Sequence, residues 1–212
     1  RLDALEMARS TGKAGAHLGG SFSAMDIIAV LYGSVLNIKN DEPEWENRDR
    51  FITSKRHCYL ASYSALYRSG LITHEQLMSF HTDGGLLAGY PWLPEYGLDF
   101  SGGSLGMGLS VGIGMALSAK RKKLAYKTYV LLGDGECNEG ANWEGFMAAS
   151  KFSLDNLVVI IDNNHMQFDG KAEDIMPMGS FAEKLRVFGF VATDVNGHSI
   201  EELNRAFETE HS

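Results

Sequence analysis

Gly133-Asp134-Gly135 directly follows the apolar run Tyr129 to Leu132, and Asp162-Asn163-Asn164 ends a second apolar run that begins at Asn156. Two glycines around one aspartate let a backbone turn tightly and approach a phosphate closely. Asp134 would then face outward as a hard oxygen ligand, and Asn164 would bring a side-chain amide oxygen to the same edge. An aspartate, an asparagine, a backbone carbonyl and phosphate oxygens suit the octahedral demand of magnesium, which takes few protein ligands. Either motif alone marks an ordinary turn. On two successive strand ends, thirty residues apart (164 minus 134), they become specific, because a helix and return of that length brings both to one site.

The elements that must position these residues alternate. Ser23-Ala-Met-Asp26 has the form of a capping box, followed by an apolar face at Ile27, Ile28, Leu31 and Val35 with helical spacing. A second helical region is predicted over residues 50–69, and residues 82–104, with their glycines and with Pro91 and Pro94, are predicted to be loop. A helix from Leu105 to Lys120 leads into the buried strand Tyr129 to Leu132. Helix (Ala141 to Phe152), strand (Asn156 to Asp162), helix (Phe181 to Phe188), strand (Phe190 to Val195) and a helix from Ile200 onward complete the series. Strands separated by helices predict an α/β fold, a parallel sheet with helices on both faces, whose carboxyl edge carries the ligand site.

Composition bounds the function. The 212 residues are 44% hydrophobic and 22% charged, as in a globular chain of one domain. A net charge of -8 gives no support to nucleic-acid binding. The dense basic cluster Lys120 to Lys123 reads as a helix end that complements the helix dipole. Cys58 and Cys137 make no disulfide framework and suit a reducing cytoplasm. No apolar run approaches the roughly 18 residues of a membrane span, so no membrane association is expected.

The run from Gly133-Asp134-Gly135 to Asn163-Asn164 resembles the signature of thiamine-diphosphate enzymes. Three further segments resemble transketolases: Gly15-Ala-His17-Leu-Gly-Gly20, Arg48-Asp-Arg-Phe-Ile-Thr-Ser-Lys55 closing on His57, and Gly103-Ser-Leu105-Gly106-Met-Gly108. The resemblance spans essentially the whole chain and is closest to separately encoded N-terminal subunits of split transketolases. It implies a diphosphate-binding domain over residues 1–212, ending inside a helix near Thr209 before the last strand such a domain has, with the pyrimidine-binding domain on a separate chain. It implies thiamine diphosphate held through Mg2+, or Ca2+ or Mn2+ in its place. Asp134 and Asn164 would ligate the metal through side chains and Met166 through its carbonyl. Gly135 would approach the diphosphate with its N–H, His57 the diphosphate or the reacting centre, and His17 the substrate channel. Gly103 and Leu105 would meet the organic part of the cofactor, and Glu139 would sit at a subunit interface.

The activity implied is transfer of a two-carbon ketol unit from a ketose donor to an aldehyde acceptor, with His17 and His57 in proton transfer. The glutamate that activates the aminopyrimidine lies, in this family, on the pyrimidine-binding domain. The resemblance therefore implies an inactive lone chain, completed by a partner subunit in an α2β2 heterotetramer. Two departures bear on substrate: Tyr90 stands where transketolases have a histidine between Gly and Pro, and Arg56 where they have glycine between Lys and His. Each residue also has a plainer reading. Arg56 is as well explained by a solvated side chain, His74, His81, His165, His198 and His211 as structural, Glu136 as solvent-facing, and Cys137 as a buried filler. Two other functions remain to be weighed: a non-catalytic assembly subunit, and a 2-oxo acid decarboxylating component.

Overall fold

The computed structural model describes residues 1–89, 93–100, 104–168 and 170–209. The chain forms two compact units, one of Arg1–Arg48, Arg56–Ser101 and Val195–Ser212, the other of Asp49–Lys55 and Gly102–Asp194.

The second unit is built on a parallel sheet of order β1-β2-β3, with β1 at Arg50–Thr53, β2 at Thr128–Gly133 and β3 at Leu157–Asp162. Every residue of β2 is buried, as a central parallel strand requires. Gly133 pairs in register with Asp162, so the residues after both strands leave the sheet at one edge. The helix Gly108–Lys122 lies so close to β2 that a Cβ on Gly112 would stand 2.4 Å from Val130 Cγ2. That helix ends as its charges suggest: Lys123 adopts the left-handed conformation, and Lys120 Nζ reaches Asp155 at 2.8 Å. Beyond β3, a short antiparallel hairpin pairs β4 (Met166–Gln167) with β5 (Gly170–Lys171).

Two elements differ from expectation in this unit. The start of the predicted helical region 50–69 is strand β1; Arg-Phe-Ile-Thr is a run of β-formers, and Phe51 and Ile52 are buried. The strand expected at Phe190 to Val195 does not form. Arg186 donates to the carbonyl of Ala192, Val191 is 93% exposed, and only the Phe190 ring turns inward, 5.8 Å from that of Phe146.

The first unit is helical. Helices Leu2–Ser10, Leu18–Val30, Tyr59–Arg68, His74–Met78 and Ile200–Thr209 surround a core that includes Ile28, Leu31, Leu60, Tyr63, Leu66, Leu77 and Phe80. Arg68 fastens the first helix to the third through a two-pronged bond to Asp3, at 2.6 and 2.8 Å. Arg48, itself buried, grips both carboxylate oxygens of Asp99 and the carbonyl of Pro43. The capping box at Ser23 is not made. The helix starts earlier, at Leu18, so Ser23 lies in its interior and donates to the carbonyl of Gly20, while Asp26 bonds Arg1 and His198. With the π-turn Leu31–Val35 the helix runs 18 residues, Leu18–Val35, long and apolar enough to cross a membrane by length and composition, contrary to the sequence expectation. Ile27, Ile28, Val30 and Leu31 of this helix are buried in the unit.

Candidate functional site

The site residues of the second unit gather at the carboxyl edge of the sheet. Asp134 follows β2, and its N–H still donates to the carbonyl of Asp162, extending the ladder by one residue. The carboxylate is only 4% exposed. Its Oδ1 accepts the Gly135 N–H at 2.8 Å, and its Oδ2 is buried with no hydrogen-bond partner among the described residues. Burial pushes the carboxyl above the ordinary range, while the N–H groups of Gly135 and His165 and the charge of Lys55 pull the other way. Asn164 is half-buried and its Oδ1 accepts the Met166 N–H at 2.9 Å.

Gln167 seats this hairpin against the turn. A Cβ on Gly135 would lie 2.5 Å from Gln167 Cβ, so the contact exists only because residue 135 is glycine. Gln167 Nε2 is buried without an acceptor among the described residues, leaving an N–H donor beside Gly135. The donors at this edge thus divide by charge. A buried carboxylate oxygen and an amide oxygen suit a hard cation, and a side-chain N–H suits an anion next to it. Gly135 places its own N–H on Asp134 rather than outward.

Beneath this edge lie polar links that sequence reasoning did not find. Lys55 extends over Gly133, whose Cβ would meet the lysine stem at 3.5 Å, and ends on Asp162. Glu136 was expected to face solvent and is instead 4% exposed. Its carboxylate accepts from the Ser54 hydroxyl, from the Gly106 N–H at 2.9 Å and from the Gly133 N–H at 3.1 Å. Burial raises its pKa even against those three donors. The reason for the error is physical: its partners are mainly backbone N–H groups, which carry no sequence signal. Cys137 is fully buried and burial raises its thiol, consistent with a filler. Glu139, two residues after it, is exposed, and Leu105 is half-buried.

The histidines lie in the first unit. His17 caps the helix Leu18–Val30; its N–H donates to the Tyr59 hydroxyl at 3.3 Å, and its ring meets that of His57 edge-on with centroids 4.8 Å apart. His57 sits on the turn Arg56–Cys58 beside half-buried Arg56. Gly20 lets this turn approach the helix, since a Cβ there would press on His57 Cβ at 3.1 Å. His198 bonds Asp26 and His74 lies 3.7 Å from Glu6, in keeping with structural roles. Tyr90, Gly103 and His211 lie outside the described residues.

The family model described as the thiamine diphosphate binding domain of transketolase matches residues 1–212. One of the two subunits of the apulose-4-phosphate transketolase of Phocaeicola vulgatus is 41% identical over 93% of this chain and 70% of its own length. A 6-deoxy-6-sulfo-D-fructose transketolase subunit of a Clostridium species is 37% identical over 93% of this chain and 72% of its own. Among solved structures, transketolase from Leishmania mexicana superimposes with a TM-score of 0.83 at 25% identity, over 98% of this chain. The chain spans 33% of that structure's length. Matched over its whole length by this cofactor-binding domain, and to separately encoded subunits in particular, the chain belongs to the transketolase family as an N-terminal, diphosphate-binding subunit of the split type.

Proposed function

We propose that this chain binds thiamine diphosphate through Mg2+, for which Ca2+ or Mn2+ can substitute, and works as one half of a ketol transferase. The buried, unpartnered Asp134 Oδ2 beside Asn164 carries the reading, since a carboxylate oxygen held dry without a donor has a function rather than a fold to serve. Asp134, Asn164 and the Met166 carbonyl would hold the metal; Gly135 and Gln167 would border the diphosphate. Thiamine diphosphate, when bound, supplies the carbanion chemistry by which a two-carbon unit leaves a ketose and joins an aldehyde. His57 and His17, stacked edge-on, would move protons to and from the sugar hydroxyls. Leu105 and Gly103 would border the organic part of the cofactor, and exposed Glu139 would face a partner.

That partner is a subunit carrying the pyrimidine-binding domain, in an α2β2 assembly and in the cytoplasm. The named substrates of the two relatives are anionic ketoses. Tyr90 and Arg56 fit a specialised ketose of that kind, Arg56 pairing with its anionic group. Calorimetric titration of thiamine diphosphate with magnesium tests the reading, on this chain alone and then with the partner. Weak binding alone that becomes tight on mixing, with ketol transfer, supports it. No binding in either case, unaltered by Asp134→Ala, would make the chain an assembly subunit. Carbon dioxide release from pyruvate would make it a decarboxylating component.

A further inference from the structure

The Glu136 carboxylate is the meeting point of three chain segments of the second unit. Ser54, just past β1, donates its hydroxyl proton to Oε1. The Gly106 N–H donates to the same oxygen and the Gly133 N–H, at the end of β2, to Oε2. The network extends one bond further, because the Ser54 oxygen accepts the N–H of Gly108, the first residue of the helix Gly108–Lys122. That helix has no side-chain cap of its own, so a serine from another strand caps it and a glutamate orients the serine. The main chain of residue 136 is fixed too: the carbonyl accepts from buried Asn142 Nδ2 at 2.9 Å, and Trp143 Nε1 holds the next carbonyl at 2.8 Å. Gly106 itself has φ +82, and a Cβ there would lie 2.7 Å from Glu139 Cβ. One turn therefore grips Gly106 from both sides.

We propose that Glu136 is a positioning residue that sets the glycine-rich segment at Leu105 and Gly106 in cofactor-binding geometry before the cofactor arrives. The proposal rests on the thiamine-diphosphate reading above. Glu136 touches neither cofactor nor substrate; it acts through the Gly106 N–H and, by way of Ser54, through the Gly108 N–H. Glutamine is nearly isosteric but cannot replace it. One amide oxygen can face Gly106 or Gly133, and in either orientation the NH2 group confronts a backbone N–H.

The test compares wild type with Glu136→Gln and Ser54→Ala, each in the complex with the partner subunit. Hydrogen exchange is read at Gly106, Gly108 and the β2 amides, and thiamine diphosphate affinity by calorimetry with magnesium. Glu136→Gln is expected to speed exchange at Gly106 on the order of tenfold while β2 stays protected. The same variant should weaken thiamine diphosphate roughly tenfold or more. Ser54→Ala should free Gly108 more than Gly133. Unchanged Gly106 exchange overturns the proposal, as does acceleration shared equally by β2, which would mark a general loss of stability. Unchanged cofactor affinity in a variant with a freed Gly106 also overturns it. If wild type itself binds no thiamine diphosphate, the functional reading fails and this proposal with it; if wild type binds and the variant binds equally, only the positioning role falls.

Discussion

Lys55 Nζ lies 2.5 Å from Asp162 Oδ2, and both side chains are less than a tenth exposed. The pair joins the end of β1 to the end of β3 across β2, directly under the turn that carries Asp134. Burying two charges costs much of what their attraction returns, but removing one leaves the other dry and uncompensated. Lys55→Met is therefore expected to cost about 3–5 kcal/mol of stability. Lys55→Met combined with Asp162→Leu should recover most of it. The denaturant midpoint of the two variants checks this, and equal losses in both would show that the ion pair is not the cause.

Asp134→Asn should separate stability from function. In cofactor-free protein the buried, unpartnered Oδ2 is a cost, so the amide should leave stability unchanged or raise it by up to about 1 kcal/mol. The cofactor affinity in magnesium should fall on the order of 100-fold. Because burial raises the Asp134 carboxyl, the folded chain holds its proton above the reference value of 3.8. Its contribution to cofactor-free stability therefore declines as pH rises through that window. Thermal unfolding of wild type and variant across the window should show a shallower decline in the variant.

The pair Asp3–Arg68 should behave in the opposite sense. The bond from Arg68 holds the Asp3 carboxyl below 3.8, so its contribution is complete above that pH and fades as pH falls through the lowered value. Asp3→Asn is expected to lower Tm at pH 7 and to make no difference once wild-type Asp3 is protonated. A Tm gap that persists in strong acid would assign the effect to packing of the first helix instead.

Gly106→Ala should be one of the most damaging single-methyl changes in the second unit. The added carbon meets Glu139 Cβ at 2.7 Å and must also hold φ +82, a strain of about 1–3 kcal/mol. Circular dichroism should show the fold retained with a lower Tm, and calorimetry a weaker cofactor. Gly114→Ala, with nothing within 4 Å, is the control and should be neutral or slightly stabilising.

The carboxyl edge of the sheet was legible because each of its two strands is an apolar run that stops at an acid or amide, and a buried parallel strand leaves that mark. Strand β1 was missed because four residues ahead of a helix carry too little period to separate from it. Ser23 misled because a capping box is a local pattern, whereas the start of that helix is fixed at His17 by a hydroxyl 42 residues away in sequence. Glu136 misled in the other direction. An acid in a glycine-rich turn reads as solvated until the N–H groups of Gly106 and Gly133, thirty and three residues away, are seen to surround it.

The contact of Gln167 with Gly135 also bears on moving this chemistry into another protein. Two stretches far apart in the gene meet with no side chain of residue 135 between them, so the spacing of the oxygen donors is set by a missing methyl group. A graft of Asp134, Asn164 and Met166 alone would carry the donors without the ruler. The smallest portable piece is the glycine turn together with the β4–β5 hairpin, transplanted as a pair onto adjacent parallel strands.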